Sequence, residues 1–180
     1  MKIICILGKS GSGKSSVEKK LESIGYKRII SYTTRKPRGN EKDGKEYHFV
    51  SREDFEQLIT KKIIIEYAEY AGNYYGAPGP VGSINNVIVV ESDGYKKFKE
   101  IYGDQVTGVY IDVSDEVADQ RKGFRHDTSE TEAKKRREVD HSKFEDVKSL
   151  VDIVVDGTEN LDDIVIKILK HIKDAEKCKK

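Results

Sequence analysis

The chain has 180 residues, enough for one domain with a sizeable core. Its 33 basic and 32 acidic residues leave a formal net charge of +1, which argues against a general nucleic-acid or membrane-surface role. Anion binding must come from local placement of Arg and Lys. The two cysteines, Cys5 and Cys178, stand at opposite ends without metal-ligand spacing, so no disulfide and a reducing compartment are expected.

The first apolar run, Ile3-Ile4-Cys5-Ile6-Leu7, reads as a buried strand with Cys5 as a small core residue. It is too short for a signal peptide or a membrane span, so a cytoplasmic protein is expected. It leads into Gly8-Lys9-Ser10-Gly11-Ser12-Gly13-Lys14-Ser15, which fits the phosphate-loop pattern G-x-x-x-x-G-K-[ST] at every fixed position. Val17, Leu21 and Ile24 follow at i, i+4 and i+7, one face of a helix. Strand, glycine loop and helix is the context the motif needs. The glycines let successive backbone N–H groups turn inward around a polyphosphate, and the new helix adds the positive end of its dipole. Lys14 would reach the β- and γ-phosphates and Ser15 would ligate Mg²⁺. Gly8, Ser10, Gly11, Ser12, Gly13, Lys14, Ser15 and Ser16 form the candidate ATP site.

Further along, Gly25 reads as a helix stop before the apolar run Lys27-Arg28-Ile29-Ile30. Residues 31–86 hold all three prolines and many Arg, Tyr and Gly, with strand-like Tyr47–Val50 and Ile63–Tyr67 and one short helix after Ser51. This reads as an inserted, mainly β subdomain. Val87–Val90 is the next strand, Tyr95–Tyr102 a helix ending at Gly103, and Val106–Val113 another strand. Asp115–Arg121 follows Ser114, a fitting N-cap. Residues 122–146 are nearly all polar, with a capping box at Ser129 and Glu132, and are read as a lid. Ile153–Val155 is the last strand; the final helix aligns Leu161, Ile164, Val165, Ile168, Leu169 and Ile172 on one face. Short β-branched strands alternating with helices imply a three-layer α/β domain around a parallel sheet, here of five strands. The expected division is a core (1–30, 87–121 and 147–180), an acceptor-binding subdomain (31–86) and a lid (122–146).

A phosphate loop does not name a reaction. The segment Ser31-Tyr32-Thr33-Thr34-Arg35-Lys36-Pro37-Arg38-Gly39 adds a second basic constellation. Arg35 and Arg38 lie three apart around a proline-fixed turn, and planar guanidinium forks suit a phosphate. Tyr47, Tyr74 and Tyr75 add uncharged hydroxyl donors. Two anion sites in one domain suggest a donor phosphate chain and an acceptor phosphate.

Ser31–Gly39, Asp43–Ser51, Phe55 and Glu66–Gly76 closely resemble guanylate kinases, and the resemblance covers roughly residues 1 to 155. It implies a P-loop kinase fold that phosphorylates GMP, and dGMP as well, from ATP with Mg²⁺, as a monomer or homodimer in purine nucleotide metabolism, with no nucleic-acid or membrane partner. It also implies that Arg35, Arg38, Tyr47 and Tyr75 hold the acceptor phosphate, with Ser31 and Glu66 facing guanine. A carboxylate suits guanine because N1–H and the 2-amino group are two adjacent donors; adenine offers no such pair, and Glu66 would then lack partners. Arg125 and Arg136, eleven apart as in the family's lid, and Arg121, four before Arg125, are the implied catalytic arginines beside Lys14.

Three places depart from the family. Ala77 stands where a Ser or Thr hydroxyl usually helps bind guanine. Val81–Asn86 is too short for the helix that normally follows. Aligned on Gly94, the usual Asp-x-Asp becomes Val89 and Glu91; Glu91 can replace the second acid near the acceptor, but Val89 cannot replace the first. Metal binding would then rest on Ser15, the phosphates and water. Two alternatives follow: a kinase of this fold acting on another monophosphate or a sugar phosphate, and a non-catalytic binding module, against which the intact Lys14 speaks.

Overall fold

The structure, a computed structural model, describes residues 1–123 and 147–177. In chain order its first elements are β1 (Ile3–Leu7), α1 (Lys14–Ser23), β2 (Lys27–Arg28), β3 (Tyr32–Thr33), β4 (His48–Phe49), α2 (Arg52–Thr60), β5 (Ile64–Tyr70) and β6 (Asn73–Pro78). There follow β7 (Asn86–Val89), α3 (Ser92–Tyr102), a 3-10 turn (Gly103–Gln105), β8 (Val106–Asp112), α4 (Asp115–Gly123), β9 (Ile153–Asp156) and α5 (Leu161–Lys177).

The larger sheet is parallel, five-stranded and ordered β2-β7-β1-β8-β9. β1 lies at its centre, and each of its residues is buried, as an uninterrupted apolar strand covered on both faces requires. Alternate side chains feed two cores. Ile3, Cys5 and Leu7 join Tyr95 and Phe98 of α3; Ile4 and Ile6 join Val17 and Leu21 of α1 and Ile164, Val165, Ile168 and Ile172 of α5. The three layers expected from the alternating pattern are present. Ile24 is the exception on the predicted α1 face. The helix ends at Ser23, Gly25 turns the chain at φ 104°, and Ile24 is left 48% exposed.

The second sheet is ordered β4-β3-β6-β5, with antiparallel β3/β6 and β5/β6 pairs. Helix α2 packs on it through the buried Phe55, whose ring centroid lies 5.2 Å from that of Tyr74. Gly76 makes this approach possible, since a Cβ there would meet Phe55 and Ile64 at 2.8 Å. Ser51 caps α2 as expected, its Oγ accepting from the Asp54 N–H at 3.0 Å. Strands β3 and β6 were not anticipated.

No helix lies between β6 and β7, in keeping with the shortness of that segment. Buried Asn86 closes it instead: its Oδ1 accepts from the Val81 N–H at 3.0 Å and its Nδ2 donates to the Ile84 carbonyl at 2.7 Å. Among the described residues no helix is long and apolar enough to cross a membrane. The expected lid, apart from the two residues that finish α4, lies outside the described residues, as does Cys178.

Asp152 fastens the return strand. Its Oδ2 accepts from the Gly108 N–H at 2.7 Å, and Lys99 donates to Oδ1 at 3.2 Å. Charge-assisted bonds of this kind are the strong ones. Asp152→Ala is expected to destabilise the fold by about 1–3 kcal/mol in urea denaturation. Asp174→Ala, which loses only an exposed pair with Lys177 in α5, should leave the midpoint unchanged.

Candidate active site

The phosphate loop leaves the carboxyl end of β1, the central strand, and three of its glycines hold positive φ: Gly8 at 144°, Gly11 at 88° and Gly13 at 101°. Two of them also permit close packing. A Cβ on Gly8 would sit 2.6 Å from the Ile111 carbonyl oxygen, and one on Gly11 would sit 2.5 Å from that of Ala118. The loop is thus wedged against β8 and α4. Lys14, at the start of α1, curls back over the loop and donates to the Gly8 and Lys9 carbonyls at 2.6 and 2.9 Å. Ser15 and Ser16 are exposed in the first turn of α1, and Ser12 is buried beneath the loop.

Above the loop lies a cavity of about 480 Å³ lined by Ser10 to Val17, Arg38, Arg121, Gly157, Glu159, Leu161 and Ile164. Arg121 bridges two of its walls, donating to the Ser12 carbonyl at 3.3 Å and the Gly157 carbonyl at 3.0 Å. Lys9 pairs with Asp115 at the start of α4 at 2.6 Å. The turn after β9 and the first residues of α5 were not anticipated in this site. The signal for them was positional, because open parallel sheets bind ligands beyond the carboxyl ends of their strands.

The second basic constellation divides. Arg35 has its guanidinium carbon 5.4 Å from the Tyr47 ring centroid and also interacts with the Tyr75 phenol. The Tyr47 and Tyr75 rings meet edge to face with centroids 6.0 Å apart. Arg35, Tyr47 and Tyr75 therefore converge. Arg38 instead lines the cavity over the phosphate loop. Burial pushes the Tyr47 phenol up, so it remains a proton donor near neutrality. Glu41, overlooked in the sequence, binds Arg35 in a two-point pair, with Nη1 to Oε2 at 2.7 Å and Nη2 to Oε1 at 3.0 Å.

The register across the small sheet runs Tyr32, Gly76, Tyr67; extended by one residue it aligns Ser31, Ala77 and Glu66. Glu66 leans over the start of α3, where a Cβ on Gly94 would meet its Oε1 at 2.9 Å. Burial, with help from the Asp93 and Glu91 carboxylates, pushes the Glu66 carboxyl up to about 7. Glu91 is exposed at the N-cap of α3, within electrostatic reach of Glu66. Arg125 and Arg136 lie outside the described residues.

The family model for guanylate kinase matches residues 1–175. The chain belongs to the guanylate kinase family. It is 35% identical over 191 residues to the guanylate kinase of Halalkalibacterium halodurans, covering 99% of this chain and 90% of that one. A crystal structure of the guanylate kinase from Anaplasma phagocytophilum is similar with a TM-score of 0.70 at 27% identity, covering 96% of this chain and 85% of that one. A sugar kinase structure from Janibacter sp. HTCC2649 aligns with a TM-score of 0.53 at 13% identity, over 96% of this chain and 95% of that one, and shares the fold alone.

Against the family pattern, Ala77 is 2% exposed and brings only a methyl group to the Glu66 row. Val89 is half-buried against the apolar layer under α1. Glu18 accepts a hydrogen bond from the Val89 backbone, but it is buried and paired with Arg28 at 3.1 Å. Among the described residues no group of three or more His, Cys, Asp or Glu side chains is assembled to hold a metal. Ser15 offers one exposed hydroxyl beside the loop. That donor set fits a Mg²⁺ ion brought in with a nucleotide and keeping several waters.

The Glu66 shift fixes a pH dependence. Its folded pKa lies above the unfolded value of 4.5, so the folded chain holds a proton that the unfolded chain releases. The resulting stability is fully present below 4.5 and is lost as pH rises through about 7. Urea unfolding of wild type and Glu66→Gln at pH 5 and pH 8 should show the wild type losing about 1–2 kcal/mol more than the variant, after discount for partial exposure.

Proposed function

We propose that the chain transfers the terminal phosphoryl group of ATP to the phosphate of GMP or dGMP, giving ADP and GDP or dGDP. The observation that carries this is the placement of Arg38. It lines the cavity above the phosphate loop, three residues from Arg35, which belongs to the tyrosine cluster. One turn thus faces a donor site and an acceptor site together. On this proposal, residues 31–86 act as the acceptor-binding subdomain, residues 122–146 as the lid, and the remainder as the core.

The loop amides and Lys14 hold the donor phosphates, and Lys14 leaves its two loop carbonyls to do so. Bound Mg²⁺, held by Ser15, the phosphates and water, would offset charge on the transferred group. Arg35, Tyr47 and Tyr75 grip the acceptor phosphate. One of its oxygens forms the new bond to the γ-phosphorus, and the β–γ bridging oxygen leaves with ADP. The attacking oxygen is already anionic, so no protein base is needed and catalysis rests on positioning and electrostatics. Arg38 and Arg121 stand at the donor cavity; Arg125 and Arg136 are assigned by resemblance to close over the transferring group. Glu66, with Ser31 two strands away in the same row, accepts from N1–H and the 2-amino group of guanine, which favours its ionised form. Glu91 stands at the same end. No step needs a second subunit, so a monomer or a homodimer serves equally, and ATP supply and a buried free thiol at Cys5 suit the cytoplasm.

A coupled assay of ADP formation with a panel of acceptors tests this. GMP should be turned over at least about 10²-fold more efficiently than AMP, because a site built around two donors rejects a base that lacks them. Turnover of another monophosphate or a sugar phosphate without turnover of GMP would overturn the acceptor assignment, and Ala77 makes that reading worth assaying. Lys14→Ala should lower kcat by about 10²–10³; wild-type turnover in that variant would overturn the placement of Lys14 on the donor phosphates. Ala77→Ser restores a hydroxyl beside Glu66 and should lower the KM for GMP about threefold to tenfold, with the KM for ATP unchanged.

A further inference from the structure

Glu41 makes more contacts to the acceptor turn than any role assigned so far explains. Its Oε2 accepts from Arg35 Nη1 at 2.7 Å and also from the Arg38 backbone N–H at 2.8 Å. Its Oε1 accepts from Arg35 Nη2 at 3.0 Å. Arg35 Nη1 spends its other proton on the Lys36 carbonyl at 2.8 Å. The Arg35 side chain is 10% exposed and that of Glu41 24%, so this pair is partly buried. The Arg35 guanidinium holds the Glu41 carboxyl below its ordinary value, so Glu41 is an anion at neutral pH.

A guanidinium carries five N–H protons in a rigid plane. Three are spent within the turn, both on Nη1 and one on Nη2, and Arg35 also hydrogen-bonds the Tyr75 phenol, itself a group of the acceptor-phosphate site. The two that remain, the second Nη2–H and Nε–H, lie on one edge of the plane. That side-on edge matches two oxygens of a phosphate. Glu41 thus occupies the end-on edge and leaves the other one for a ligand. A carboxylate merely standing in for a phosphate would have to leave before GMP could bind. The proton count shows that both can be held at once. The shared Arg38 N–H ties the same carboxylate to the backbone that carries the second arginine.

We propose that Glu41 is the positioning residue of the acceptor-phosphate site: it orients Arg35 by its end-on edge, anchors the Arg38 turn, and stays in place when a nucleoside monophosphate binds. The proposal rests on the acceptor assignment given above. Glu41 acts through Arg35 and not on the reacting atoms, so its effect falls on affinity for the phosphate rather than for the base.

Calorimetric titration of GMP and of guanosine into wild type, Glu41→Gln and Glu41→Asp tests it. In Glu41→Gln the ratio of GMP to guanosine affinity should fall about tenfold, because one charge-assisted contact is lost and an amide N–H₂ is set against a guanidinium. Guanosine affinity should not move, which also shows that the variant is folded. Glu41→Asp keeps the charge but withdraws the carboxylate by one methylene, and should lose the ratio likewise; full retention there would reduce Glu41 to a charge effect and overturn positioning. An unchanged ratio in Glu41→Gln overturns the proposal, and a raised ratio shows that Glu41 competes with the phosphate and overturns it too. Failure of wild type to bind GMP would instead contradict the acceptor assignment, and Glu41 with it.

Discussion

A polyphosphate can be held by backbone amides only where several N–H groups converge, and here that convergence depends on a loop packed backbone to backbone. Gly8 lies against the Ile111 carbonyl and Gly11 against the Ala118 carbonyl, with room for no Cβ in either place. These two contacts tie the loop to β8 and to α4. Arg121 and the Lys9–Asp115 pair reinforce the second tie, since they join α4 to the same loop. The loop in turn sits at the carboxyl end of the central strand of the parallel sheet, where such folds gather their ligands.

The proposed acceptor side is built on different physics. Its cation is not a bare charge in water: the Arg35 fork is compensated by Glu41 and flanked by Tyr47 and Phe49. On the proposed assignment, a chain with a net charge of +1 would meet the acceptor phosphate with a cation that is already compensated. The base end reverses the sign. Burial, with the Asp93 and Glu91 carboxylates nearby, lets Glu66 retain a proton near neutrality. A base carrying two adjacent donors relieves that strain; a base without them leaves it in place. One ligand with a negative end and a donor-rich end fits both.

Much of this was legible in the chain. Ile3–Leu7 is five apolar residues running into a phosphate loop, a pattern that a buried parallel strand makes and few other structures share. Ser51, Gly25 and the apolar stripe of α5 marked element ends and faces in the same local way. Strands β3 and β6 were not legible. β3 has only two residues, and β6 carries Gly76 and Pro78, which deplete strand propensity; their pairing comes from the sheet and not from local preference. The buried side of α1 was drawn one turn too long because Gly25 turns the chain before Ile24 can pack. The division between Arg35 and Arg38 depends on a turn whose geometry Glu41 sets, and a single glutamate in a polar loop carries no spacing signature. The walls of the donor cavity from Gly157 to Ile164 come from the far end of the chain, which no local pattern could join to the loop.

The fold itself does not choose the acceptor, since a sugar kinase shares it at 13% identity. On the proposed assignment the choice rests on donor and acceptor sites that face each other across the Arg38 turn with a carboxylate at the base end. A single ligand spanning both sites probes this most directly. The dissociation constant of adenosine linked to guanosine through five phosphates should be at least about 100-fold lower than that of the adenosine–adenosine analogue, with the difference arising at the acceptor base. Equal affinities for the two would contradict the account.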